Sequence, residues 1–376
     1  MRPNFADSVA SAVRAPIRFC APLEAAHEFS PRSSADNYAL SARPHFANPD
    51  LIRPKRKRNH VNTTPYGTGG GIWQAGAGPA SDGSYIYAAT GNGTTFDVNN
   101  WPPVDMGDSL LKLNPSTLAV LDYYAPSDVY DWPPPNGQGR CIQDEDFGSG
   151  GALVVPSDFK YNSMNVVINA DKESKLYVVN QGNLGQFGNN IQTIQTPLPL
   201  RDSNQGYWGS PAYLKYTTGG TTYYMIYYSA TDQDTGVAPL PINGYQLATS
   251  GSSGPIPSTY LSTSTEFCDK TPTPSVSSSG TTTGTGIVWA IENQNGNNPN
   301  PGNCADTTQL YAILHAFNAI TLTELYSSIG VNATKYNGAS SFLTPTVFQG
   351  RVYMGTTGTK FHVFGLCSSQ TSGCMQ

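Results

Sequence analysis

The chain has 376 residues, enough for one large single-core domain. It carries 38 Gly, 29 Pro and 22 Tyr but only 12% charged residues, a balance that favours short strands and tight turns over long amphipathic helices. The formal net charge of −5 argues against a general nucleic-acid binder, and no stretch approaches the roughly 20 apolar residues of a membrane span.

Charge divides the chain. Residues 1–60 hold ten Lys/Arg against five Asp/Glu, whereas residues 61–376 hold eleven against twenty-one. The first part shows neither helical nor strand periodicity and is expected to be an irregular or disordered basic segment, with the domain proper at 61–376. Its run Arg53-Pro54-Lys55-Arg56-Lys57-Arg58 reads as a nuclear-import or anion-binding patch, or as a solvated linker. Residues 1–30 hold no apolar run of the length a secretory signal needs.

From Asn62 onward a repeat appears. A small-residue marker recurs as Gly78-Pro79-Ala80, Gly150-Gly151-Ala152, Ser210-Pro211-Ala212, Thr273-Pro274-Ser275-Val276 and Thr344-Pro345-Thr346-Val347. Each marker precedes an apolar strand, at 85–89, 165–168, 223–228, 286–290 and 351–354. A second strand follows at 110–114, 176–180, 244–247, 314–318 and 361–364, and outer strands read at 119–124 and 323–327. Marker, strand, turn, strand is the grammar of a propeller blade. The expected fold is therefore all-β: a β-propeller of four-stranded blades, about five of them, forming an incomplete ring (an open arc) or a strained smaller ring. A raw blade edge is expected near residues 62–80. Residues 249–285 and 293–309 are rich in Ser, Thr, Asn, Gly and Pro and read as long surface insertions.

Six cysteines stand at 20, 141, 268, 304, 367 and 374. None forms C-x-x-C or has histidine at zinc-ligand spacing, so a metal cluster is not expected. Cys367 with Cys374, and Cys268 with Cys304, suit disulfides in an oxidising compartment; free thiols are the alternative.

Four motifs in order carry a family resemblance. They are Gly69-Gly70-Gly71-Ile72-Trp73, then Ile86-Tyr87-Ala88-Ala89-Thr90-Gly91-Asn92-Gly93, then Asp108-Ser109-Leu110-Leu111-Lys112-Leu113-Asn114-Pro115, and Ala170-Asp171-Lys172 followed by Leu176-Tyr177-Val178-Val179-Asn180. Together they resemble the pyrroloquinoline-quinone (PQQ) repeats of quinoprotein alcohol dehydrogenases, with weaker similarity to about residue 366. The resemblance implies an extracytoplasmic (periplasmic or secreted) protein. It also implies roles: Trp73 as the floor under a quinone ring, Asn92 as a calcium ligand and Lys172 as the charge facing the quinone carbonyls. Asp108, in Gly107-Asp108-Ser109, is the nearest match to the family's catalytic aspartate. The chain differs in lacking the further calcium-binding glutamate, the G-D-N loop and adjacent cysteines.

Other groups are less specific. Asp144-Glu145-Asp146 reads as a polar loop, a calcium site or an acid/base pair, and Asp232-Gln233-Asp234-Thr235-Gly236 as a turn. His315 and His362 sit in strand patterns and read as structural. Tyr207, Trp208, Tyr213, Tyr227 and Tyr228 suit sugar-like ligands if they reach the channel mouth, or packing between blades. Two functions follow: a non-catalytic binding or scaffold module for a protein, polymer or small molecule, or an alcohol/sugar dehydrogenase dependent on PQQ and calcium.

Overall fold

Small residues and prolines recur where chain segments crowd a common axis, and the computed structural model shows each marker leading into an innermost strand. The structure describes residues 19–20, 59–66, 69–93, 105–127, 145–196, 205–232, 240–267, 272–295, 310–331, 338, 342–357 and 361–366. Strands are numbered in chain order, β1 being Phe19–Cys20.

Blade 1 runs β2 (Ala80–Ser81), β3 (Ile86–Ala89), β4 (Leu110–Leu113) and β5 (Val120–Ala125) from axis to rim. Blade 2 has β6 (Ala152–Val154), β7 (Val166–Ala170) and β8 (Lys175–Asn180). The chain then adds β9 (Gln186–Phe187) parallel to β5, and returns as β10 (Gln192–Gln195), the outer strand of blade 2. Blade 3 begins with β11 (Gln205–Tyr207) and β12 (Ala212–Thr218), both paired to the long β13 (Thr221–Asp232), and continues through β14 (Leu240–Gln246) to β15 (Leu261–Phe267). Blade 4 comprises β16 (Ser275–Ser277), β17 (Ile287–Asn295), β18 (Leu310–Asn318) and β19 (Glu324–Ser327). Blade 5 comprises β20 (Thr346–Phe348), β21 (Arg351–Gly355) and β22 (Phe361–Leu366), with β1 as its fourth strand, Phe19 opposite Leu366. Nothing in the sequence pattern announces that last pairing.

Strand alternation builds the core between blades, because successive side chains point to opposite faces. On β13, Ile226 and Tyr228 pack toward Val166, Ile168 and Val178 of blade 2. Their neighbours Met225 and Tyr227 pack toward Val288 and Phe317 of blade 4. Tyr87, Leu110 and Tyr124 meet Val167 and Tyr177 between blades 1 and 2, and Trp289 and Leu314 meet Val352, Met354 and Phe364 between blades 4 and 5. Each large apolar side chain so buried contributes about 1.5–3 kcal/mol. Tyr227 and Tyr228 are 0% exposed; they are core residues and do not reach a channel mouth.

The blade heads pack directly on one another. A Cβ at Gly76 would fall 2.6 Å from the Phe342 carbonyl oxygen and 2.9 Å from Thr273 Oγ1, and one at Gly209 would fall 3.0 Å from the same Thr273 oxygen. Thr344 Oγ1 donates to the Gly76 carbonyl at 3.3 Å, joining the heads of blades 5 and 1. At the rim these two blades differ. Ala88, Leu111, Leu113 and Tyr123 on the outward face of blade 1 are covered by Val61 and Phe187. On blade 5, Phe348 and Phe361 remain 60% exposed. The propeller is thus incomplete: apolar side chains stand open on blade 5, while Val61 covers part of the outward face of blade 1 and Tyr66, Ile72 and Trp73 beside it remain exposed.

Residues 249–285 are not a plain insertion, since they hold β15 and β16. The stretch Leu261–Phe267 hides its strand character behind Ser and Thr: only Thr263 and Phe267 turn inward as buried side chains, as suits an outer strand with one wet face.

Candidate functional site

Three backbone segments stack at one end of blade 1. The Gly70 N–H donates to the Asn92 carbonyl, the Gly91 N–H to that of Gly71 at 2.8 Å, and the Asp108 N–H to that of Gly91 at 2.8 Å. Glycine is required here: a Cβ on Gly93 would lie 2.5 Å from Gly107 Cα.

Trp73 lies on this bed. A Cβ on Gly71 would sit 3.1–3.3 Å from its ring atoms, and one on Gly91 would sit 2.8 Å from its Cδ1. The indole is nevertheless 68% exposed. The next residue anchors it. Gln74 is buried, its N–H donates to the Gly148 carbonyl at 3.0 Å, and its Oε1 accepts the Ala89 N–H at 2.6 Å.

Beside the indole bed runs a buried ionic brace. Asp146 Oδ1 accepts the Asn92 N–H at 2.9 Å, and Oδ2 pairs with Lys172 Nζ at 2.5 Å. The two side chains are 9% and 3% exposed. Lys172 Nζ also stands 4.5 Å from the ring centroid of Trp208, whose indole stacks on Phe342 at 5.9 Å and 6°. One carboxylate and one ammonium therefore join a turn of blade 1, the hairpin of blade 2 and the head of blade 3. Buried charges are tolerated only when paired in this way.

The fold brings Trp73, Asn92 and Lys172 to one end. Asp108 lies beneath them, 0% exposed, in a turn at φ 45°, with its Oδ1 accepting the Phe147 N–H at 3.0 Å. Asp105 is buried too, and its Oδ1 accepts the Tyr66 N–H at 3.0 Å. Asp171 is held by the Lys175 N–H and the Tyr177 hydroxyl and shapes the hairpin turn. The contacts made by Lys172 do not suit a quinone whose carbonyls face that ammonium. The ammonium matched to the quinone carbonyls is bound by Asp146, and buried carboxylates at 105, 108 and 146 oppose a tricarboxylate cofactor. Among the described residues no group of three or more His, Cys, Asp or Glu could hold a metal.

A second ionic cluster sits between blades 3 and 4. His315 Nε2 meets Glu292 Oε2 at 2.9 Å, and Nδ1 meets Glu324 Oε1 at 2.6 Å. Phe267 packs edge-on against the ring at 5.5 Å, and Phe317 stacks on it. Burial pulls the imidazole pKa down, but the hydrogen bonds and charges of Glu292 and Glu324 together raise it above the ordinary histidine value. The sequence placed His315 in a strand but gave no sign of its two partners, one on each neighbouring strand. Asp146 was visible in its acidic run and Lys172 in its motif, but their pairing was not.

Asp144, residues 233–236 and Cys141, Cys268, Cys304, Cys367 and Cys374 lie outside the described residues, and with them both cysteine pairings. Among the described residues no helix is long and apolar enough to cross a membrane.

The sheets and their packed heads define the class of protein: an incomplete β-propeller of repeated blades. No family model matches the chain, and no curated protein matches it. Among solved structures it is similar to BamB from Moraxella catarrhalis, at 11% identity and a TM-score of 0.32, over 76% of this chain and 71% of that one. A likeness of that size adds nothing to the architecture read from the sheets themselves.

Proposed function

We propose that this protein is a non-catalytic, extracytoplasmic binding propeller whose ligand or partner docks on the end marked by Trp73. The observation that carries the reading is the brace: Lys172 is 3% exposed and paired at 2.5 Å with Asp146, so the cation that a quinone site would use serves to join blades. Trp73, by contrast, is exposed on a fixed bed. A rigid aromatic surface with its ordering cost already met is suited to binding rather than turnover.

The other reading is a PQQ- and calcium-dependent alcohol or sugar dehydrogenase, with the quinone on Trp73, calcium at Asn92 and Asp108 as base. The observation in its favour is the meeting of Trp73, Asn92 and Lys172 at one end of the fold. Titration of the purified chain with PQQ and calcium, followed by cofactor absorbance, separates the two. The binding reading expects no saturable uptake at micromolar cofactor. Stoichiometric uptake abolished by Trp73→Ala and by Lys172→Ala would replace it with the dehydrogenase. Fractionation of the native host tests the location: recovery in the cytosol would refute the extracytoplasmic assignment.

A further inference from the structure

We infer that the Trp73 platform takes a neutral carbohydrate, stacking the apolar face of a pyranose ring on the indole. The inference rests on the binding reading above and names its ligand class. Three observations carry it.

The first is geometry. One side of the indole faces Gly71 and Gly91, where a Cβ would press on the ring at 3.1–3.3 Å and collide with it at 2.8 Å respectively, and the residue is still 68% exposed. Backbone hydrogen bonds on both flanks, Gly91 N–H to the Gly71 carbonyl and Gln74 N–H to the Gly148 carbonyl, fix the segment that carries it. A ligand meets a flat surface that loses little freedom on binding.

The second is charge. Among the described residues, Asp146 and Asp108 bond the turns of the bed and Asp105 holds the Tyr66 N–H, and all three are buried. The ammonium of Lys172 is committed to Asp146. Residues 61–376 as a whole carry eleven Lys/Arg against twenty-one Asp/Glu. The field over the platform therefore opposes anionic ligands and leaves neutral ones unaffected.

The third is polarity at the margin. Ile72, the residue before Trp73, is 42% exposed, and Tyr66, on the loop whose Thr64 hydroxyl bonds the Gly69 carbonyl at 3.0 Å, is 84% exposed. An exposed indole with an exposed phenol on the adjoining loop suits a ligand with C–H faces and hydroxyl edges.

The test uses the full chain and defined probes. Tryptophan fluorescence and calorimetry would follow titration with cellohexaose, chitohexaose and maltohexaose, with oligogalacturonate of equal length as the anionic comparison. The expected result is saturable binding of at least one neutral hexamer at millimolar concentration or below. Trp73→Ala should weaken it by about tenfold or more with an unchanged melting temperature, Trp73→Phe should weaken it less, and oligogalacturonate should bind worse than the neutral sugar. Absence of saturation with every neutral probe, indifference to Trp73→Ala, or preference for the anionic sugar would each overturn the inference. Such a failure without PQQ uptake leaves the binding propeller standing. PQQ uptake in the separate titration removes both.

Discussion

Replacing Lys172 with methionine keeps the length of the side chain and deletes its charge. Asp146 is then left with a carboxylate whose Oδ2 has lost a partner at 2.5 Å, at a position only 9% exposed. Removing one member of a buried ion pair costs about 3–5 kcal/mol, because the remaining charge cannot return to water. Loss of the ammonium over Trp208 at 4.5 Å adds about 1–2 kcal/mol for a desolvated cation–π contact. The Asn92 N–H that remains on Oδ1 leaves the carboxylate partly satisfied, which holds the loss toward the lower end of these ranges. The expected loss for Lys172→Met is therefore about 3–4 kcal/mol. Urea unfolding at neutral pH, followed by near-UV circular dichroism, measures it. The double variant Lys172→Met/Asp146→Asn should recover much of the deficit, since no orphan charge remains, giving a coupling of about 2 kcal/mol or more. A single variant within about 0.5 kcal/mol of the parent would refute the brace, because that is the effect of an ordinary surface change.

Three further outcomes follow from other contacts. His315 has a raised pKa in the fold, so its contribution to stability is complete below the unfolded value of about 6.5 and is lost as pH rises through the folded value; His315→Gln should flatten that alkaline decline in urea midpoints, and an unchanged pH profile would refute it. Gly91→Ala pushes a methyl against the Asp146 carboxylate and to 2.8 Å from Trp73 Cδ1, and should cost about 1–3 kcal/mol in thermal unfolding while shifting the tryptophan emission. Tyr227→Phe removes the hydroxyl that donates to the Ala319 carbonyl inside the blade 3–4 interface and should cost about 1–3 kcal/mol, checked by calorimetry.

Much of the architecture was legible because crowding near an axis restricts sequence. Pro79, Gly151, Pro211, Pro274 and Pro345 each stand at the head of an innermost strand, and the apolar runs that follow became β3, β7, β13, β17 and β21. Local patterns of that kind survive translation into structure because strand period and turn chemistry are local. Pairings between distant segments are not. Phe19 opposite Leu366, Asp146 with Lys172, and Glu292 with Glu324 around His315 depend on which strands become neighbours. The serine- and threonine-rich β15 was hidden for another reason: a single buried face at the rim asks for only two inward residues. Trp73, Asn92 and Lys172 were picked out by the motifs that hold them, whereas the partner that occupies Lys172, Asp146, could not be read from spacing.

The contacts at Gly76, Gly209 and Thr273 tie three blade heads through one side chain. A methyl added at either glycine would press on the same Thr273 oxygen, so a disturbance in the head of blade 1 or of blade 3 converges on the head of blade 4. Segments far apart along the chain thereby share one mechanical joint.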